Sequence, residues 1–490
     1  MKTRHWLSRA VFLRGTGLVY TVAFVSLLRQ ARGLFGDRGI LPIAAFLSNQ
    51  REALGVSAFL RVPSLFWVDA SDGALLAVGC VGLVAGIALA AGCGSLLALA
   101  AAWISYLSFV STGQVFLAYP CDLLLLEAGF LAILSSPSVG VRPRFDPPVF
   151  VVFLARWLLF RALFGAGVAR LRSDPCWGAL TCLPDYLETR SGPTVLAFYL
   201  HALPLPVHRV LTFVALFSEL VVPFGLFGPR RLRRVAGLVT LLVSALSVLT
   251  ANDGFSSWLA MILTAFCFDD AALEKLPFLR TLSADAGPAL GRRRSLAVWA
   301  AGAIAFGASV LLIPETLSPK PGVDPSLEPL HLASTYGVLE PVEHERTEVV
   351  FEGTWDDVAR DPAHWLEYEL PCKPGDPERA PCWPSPYLRR LDWRLWQAAL
   401  GDFRREAWVI RVVDDLLREN SAVTALFARD PFAGKPPRFV RIARYRYRFS
   451  RPGERGYWQR ELVDDFVRPF SLKDPALFEY LFRRGWLRQK

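Results

Sequence analysis

Apolar runs long enough to cross a bilayer, several with a charge near the midpoint, constrain this chain more than any other feature. The densest stretch lies at 156–270. It holds a run with Arg156 and Arg161, the polar segment DPCWGALTCLPDYLETR, and three more apolar runs ending in FCFDD. A helix needs about 20 apolar residues to span the ~30 Å hydrocarbon layer. With 53% hydrophobic residues and a mean hydropathy of +0.33, the chain of 490 residues has the composition of an integral membrane protein. The net charge of +10 would suggest nucleic acid in a soluble protein. Here much of the arginine excess flanks apolar segments and no basic recognition module accompanies it, so no nucleic-acid partner is expected.

In chain order, 11–28 reads as an uncleaved first span, because Arg14 interrupts it and RQARGLFGDRG follows where a small-residue cleavage site would be needed. Residues 41–60 suit an interfacial amphipathic helix. Further spans are expected near 74–91, 95–111, 122–135, 148–169, 208–228, 235–251, 255–268 and 296–313, which makes about nine. With a cytoplasmic N-terminus, the clusters Arg142/Arg144, Arg230/Arg231/Arg233/Arg234 and Arg292 to Arg294 fall inside, as the positive-inside rule asks. Arg29, Arg32, Arg38, Arg51 and Arg61 then fall outside and fit the rule poorly. The same parity places the loop 170–207 and everything after Pro314 on the extracytoplasmic side.

The cysteines divide along the same line. Cys80, Cys93, Cys121 and Cys267 lie in or beside apolar runs, where a thiol is a small hydrophobe. Cys176, Cys182, Cys372 and Cys382 lie in the outer segments, where disulfides survive. Four cysteines allow three connectivities, of which the local pairs Cys176/Cys182 and Cys372/Cys382 are the simplest. Neither pair has CxxC spacing, so stapling is expected ahead of thiol exchange.

The organisation expected is therefore a multi-spanning helical domain over 1–313, a proline-rich linker at 314–330 and a soluble α+β domain over 331–490. In that tail TEVVFEG and HWLEYELP alternate like strands, RLDWRLWQAALGDFR and EAWVIRVVDDLLREN repeat at helical spacing, and RFVRIARYRYRFS alternates again. The last strand would put Phe439, Tyr445, Tyr447 and Phe449 on one face and an arginine ladder, Arg444, Arg446 and Arg448, on the other. That second face is either a solvated surface or a docking edge for a client strand.

Several of these segments carry a resemblance. DPCWGALTC followed by YLETR, FSELVVPFGLFGPRR, FCFDD, WLEYELPCKPGDPERAPC, RLDWRLWQAAL, ARDPF and YRYRFS, with LLLLEAGFLAIL and RGTGLVYTVAFVSL upstream, resemble the lipase maturation factor family over nearly the whole chain. The resemblance implies a multi-spanning protein that assists folding and assembly of secreted lipases, with its C-terminal domain on the luminal side. It implies no catalytic residues. Tyr387 and Leu388 stand where family members often show His-Gln, which puts a His-dependent role for that segment in doubt. The membrane part also looks distantly similar to vitamin K-dependent carboxylases.

Glu127, Arg156, Arg161 and Glu219 sit near the middles of spans, where an isolated charge costs ~2.5 to 3.5 kcal/mol, so they are expected to face inward and pair. They form either a structural clasp or a cavity for a small hydrophobic cofactor. Gly165 and Gly167 allow close helix approach. Asn252, Asp253 and Gly254 suit a turn. Asp269/Asp270 and His201/His208 lack the clustering of a metal site. There is no GxSxG, phosphate loop or HExxH.

The sequence thus supports a membrane-anchored, chaperone-like maturation factor for exported proteins such as lipases, with no catalytic residues, metal or cofactor expected. Trp177, Tyr186 and Trp383 are its candidate exposed anchors for the client. The alternative is a carboxylase-like or thiol-redox membrane enzyme. Without glycosylation acceptors or a KDEL-type ending, the expected setting is a bacterial inner membrane with a periplasmic tail; in a eukaryote it would be the endoplasmic reticulum membrane. Membrane lipid is the other expected partner.

Overall fold

A computed structural model describes residues 4–117, 119–136, 138, 140, 145–280, 290–318, 329–336, 342–357 and 363–487. Arg142 and Arg144, most of the expected linker and the last three residues lie outside these. Among the described residues the apolar helices of the membrane part are α1 Trp6–Phe35, α2 Asp72–Ala90, α3 Leu96–Thr112, α4 Pro120–Ser135, α5 Val149–Ser173, α6 Leu205–Phe227, α7 Arg230–Thr250, α8 Ser256–Cys267 and α9 Arg292–Thr316. Side-chain caps mark some of the starts. Ser71 accepts from the Ala74 N–H and Ser95 from the Leu97 N–H, while Pro120 opens α4, where its missing N–H costs nothing.

Among the described residues six of these helices, α1, α2, α5, α6, α7 and α9, are long and apolar enough to cross a membrane. The expected count of about nine is therefore corrected to six. At 17 and 16 residues, α3 and α4 reach only about 26 and 24 Å at 1.5 Å per residue, short of the hydrocarbon layer. Helix α8 is shorter still. Most of α4 is buried, which is why its hydrophobicity looked like a span: an inner helix needs apolar residues on every side. Exposed Val84, Leu242, Leu246 and Ile304 form part of the apolar outer surface that meets lipid.

The acidic pair at the end of FCFDD fastens the start of the bundle. Asp270 accepts from the backbone N–H of Trp6 (3.1 Å) and Leu7 (2.9 Å), capping α1, whose own His5 supplies no cap. Asp269 pairs with Arg230 and Arg234. The expected turn at 252–254 is present, with Gly254 at φ +64°, a left-handed value that glycine adopts without a Cβ clash.

The tail forms a four-stranded antiparallel sheet of order β2-β1-β3-β4, from β1 Arg346–Thr354, β2 Leu366–Glu367, β3 Phe439–Phe449 and β4 Trp458–Phe470. Helices α10 Arg390–Ala399 and α11 Trp408–Leu417 pack against it and α12 Pro475–Arg483 follows. HWLEYELP contributes only the two residues of β2. RFVRIARYRYRFS is β3, a central strand, so it cannot be a docking edge; β4 holds that position. Register shifts between β3 and β4 mark bulges. They move the buried side of β3 from Val440 and Ile442 to Tyr447 and Phe449.

Candidate functional site

The four intramembrane charges do not converge. Arg161 on α5 pairs with Glu127 on α4 and also donates to the Ser334 carbonyl at 3.0 Å, while the Tyr336 hydroxyl donates to the other Glu127 oxygen at 2.6 Å. A segment of the tail thus completes this clasp. Glu219 on α6 pairs with Arg170 at 2.5 Å, and Gly167 makes room, since a Cβ there would lie 2.9 Å from that of Glu219. Arg156 donates to the Phe266 carbonyl at 2.9 Å. Among the described residues the four charges take separate partners and do not share the one site that the cofactor alternative requires. Arg161 instead edges a cavity of about 230 Å³ between α5, the end of α6 and α9.

The loop aromatics correct a second expectation. Trp177 is 1% exposed. Its ring meets Tyr186 edge-on at 5.3 Å, and the Arg170 guanidinium lies over both rings, 5.3 and 5.2 Å from their centroids. Arg190 covers Tyr186 at 4.7 Å. Desolvated cation–π contacts of this kind are worth about 2 kcal/mol. Trp177 and Tyr186 therefore form the loop's own core, not exposed anchors. Their partner charges, Arg170 and Arg190, flank the loop, so a sequence reading that weighs only aromatics misses it. Trp383 is 53% exposed and donates its indole N–H to the Val248 carbonyl at 2.8 Å, at the end of α7.

Both local cysteine pairs are bonded, Cys176–Cys182 and Cys372–Cys382, with Cα atoms 4.9 and 5.4 Å apart. Closing loops this short removes about 2 to 3 kcal/mol of unfolded-chain entropy each. The first staples the segment that carries Trp177. Next to the second, the N–H groups of Cys372 and Lys373 both donate to Asp392 on α10.

Loop and tail meet along a continuous seam. Fully buried Arg346, at the start of β1, donates to the carbonyls of Glu188 and Arg190, each at 2.7 Å, and pairs with buried Glu348. Lys373 holds the second Glu348 oxygen at 2.8 Å. The Phe449 N–H donates to Glu188 at 2.8 Å and the Trp396 indole to the Thr189 carbonyl at 2.9 Å. Burial pushes the Glu188 carboxyl up. At the exposed margin His344 touches two carboxylates, Asp185 at 2.6 Å and Asp174 at 3.1 Å, which raise its pKa. The arginine ladder of β3 is neutralised by Asp464, Glu345 and Glu454 on Arg444, Arg446 and Arg448.

One buried pair escaped the sequence reading. Arg390 of α10 and Asp122 of α4, both with fully buried side chains, make a two-pronged pair at 2.9 and 3.0 Å, and Arg390 also reaches the Phe116 carbonyl at 2.9 Å. The only signal was an aspartate at the start of an apolar run.

Among the described residues, the outer edge of β4 is one of the sheet's two edges and is open to a partner. Its run 461–465 is exposed, and Leu462 and Val463 are among the exposed apolar side chains. The free backbone groups of an edge strand can pair with another extended chain.

Two family models cover most of the chain: one described as the lipase maturation factor transmembrane domain matches residues 7–275, and one described as the lipase maturation factor C-terminal domain matches 332–468. Lipase maturation factor 1 of Bos taurus is 36% identical over 515 positions, covering 98% of this chain and 91% of that protein. The Homo sapiens protein of the same name is also 36% identical, with 98% and 90% covered. Lipase maturation factor 2 of Homo sapiens is 31% identical, with 99% and 85% covered. No solved structure matches.

Proposed function

The chain belongs to the lipase maturation factor family, and from that premise we propose that it is a membrane-anchored maturation factor that holds folding intermediates of exported proteins, lipases among them, by binding rather than by chemistry. The observation that carries this reading is the seam. Loop 170–207 and the tail are locked into one body on one side of the membrane helices, and both disulfides lie there. Disulfides point to an oxidising compartment, and the arginines at the start of α7 lie at the opposite end of the bundle from Trp383. The proposed setting is thus a bacterial inner membrane with the tail in the periplasm, the endoplasmic reticulum lumen being the eukaryotic equivalent.

With six long helices the parity count no longer assigns the side. The seam and the disulfides support that assignment without it. Within 331–490 the client would add an extended segment to the edge of β4 by strand pairing, with Trp383 as an exposed apolar contact beyond the sheet.

The test is coexpression with an exported lipase in cells lacking their own maturation factor, scoring secreted activity per unit of lipase. The full chain should raise specific activity, and Val463→Pro, which blocks strand pairing at an edge, should remove the gain at unchanged chain abundance. No gain from abundant, folded wild-type chain would overturn the proposal.

A further inference from the structure

The clasp does not account for the cavity beside Arg161. Its walls are mostly aromatic and aliphatic, with Trp157, Phe160, Phe164, Phe224 and Ile313 among them, and its polar lining includes Ser309, Thr316 and Ser334. Phe224 and Leu317, also in the lining, are exposed at 57% and 44%, so the cavity opens onto the apolar surface that faces lipid. At about 230 Å³ it falls below the ~300 to 1,000 Å³ of pockets for drug-sized ligands. That size admits part of one slender chain.

The charges indicate what the chain belongs to. Arg161 is already matched by Glu127, so the interior offers no net positive charge to hold a free carboxylate. Just outside, exposed Arg172 donates to the carbonyls of Thr316 and Ser318, both at 3.1 Å, which fixes a cation next to the mouth. An arginine at the end of a membrane helix lies at headgroup level.

We propose that this cavity takes an acyl chain of a membrane glycerophospholipid, with the lipid phosphate at Arg172. The inference is independent of the maturation reading.

The probe is phosphatidylglycerol carrying a diazirine in its acyl chain, in nanodiscs with the full-length protein, with crosslinked peptides identified by mass spectrometry. Label should concentrate on 157–165 and 309–317 above the level on the lipid-facing stripe of α7 around Leu242 and Leu246. Ile313→Trp, which plugs the cavity, should abolish that excess. Arg172→Gln, an exposed change that leaves the fold intact, should reduce it. Label no higher than on α7 would mean ordinary annular lipid and would overturn the proposal, as would an excess unaffected by Arg172→Gln. A diazirine fatty acid that labels the same peptides while the phospholipid does not would also overturn it.

Discussion

His344 shows how a single side chain can tie the loop to the tail. Both ring nitrogens meet carboxylate oxygens, of Asp185 and Asp174, which only the doubly protonated ring can serve as donor on both sides. Its pKa is raised, first by Asp185 and then by Asp174. A raised pKa on a cationic group means stability that is fully present below the unfolded value of about 6.5 and is lost as pH rises through the folded value. His344→Gln should therefore lower the melting temperature of the purified protein at pH 5.5 and have little effect at pH 8.5. An equal effect at both values would show that the contacts are neutral packing. Sequence could not supply this constellation, because His344 lies 159 and 170 residues from its partners. Trp177 teaches the converse. A tryptophan in a polar loop looks like an exposed anchor until Arg170 and Arg190 are seen to enclose its cluster.

At the level of elements, the periodic segments were legible and the irregular ones were not. TEVVFEG, RLDWRLWQAAL and EAWVIRVVDDLL declare β1, α10 and α11 through their spacing. Strand β4 hides behind Asp464, Asp465 and Pro469, a composition that only an edge strand tolerates. Alternation alone treats the two faces of β3 as regular, and the bulges switch them partway along. The contact between α10 and α4 turns on Arg390 and Asp122, whose side chains are fully buried. Removing one partner of such a pair costs about 3 to 5 kcal/mol, whereas replacing both with apolar groups is often close to neutral. Arg390→Met should therefore sharply reduce folded protein, and adding Asp122→Leu should restore a substantial part of it. The restoration should stay incomplete because the Phe116 carbonyl also loses its donor. Urea titration of the two variants in detergent measures the difference, and failure of the second change to help would show that Arg390 acts through that carbonyl.

On the scale of the whole molecule, the composition change after residue 330 marks the segment expected as a soluble α+β domain, and its core is continuous with the helices. Trp393 packs edge-on against Tyr119 at 4.7 Å and Trp408 against Phe116 at 5.2 Å. The Leu388 carbonyl accepts from Ser26 and Gln30 of α1 at 2.6 and 2.9 Å, and Tyr336 reaches Glu127. Cutting the tail free would expose these apolar surfaces and leave Arg390 without its carboxylate. A large exposed apolar patch favours association. Residues 331–490 exported alone should therefore give a protein that binds a hydrophobic dye, self-associates in sedimentation and lacks a sharp thermal transition, even with Cys372–Cys382 formed. A monomeric tail with a cooperative transition would mean that the contacts with α1, α4 and the connection before α4 only dock a finished domain. The continuous core predicts the first outcome, because the same residues that close the sheet's helical layer also close the end of the membrane bundle, so neither half has a complete interior without the other.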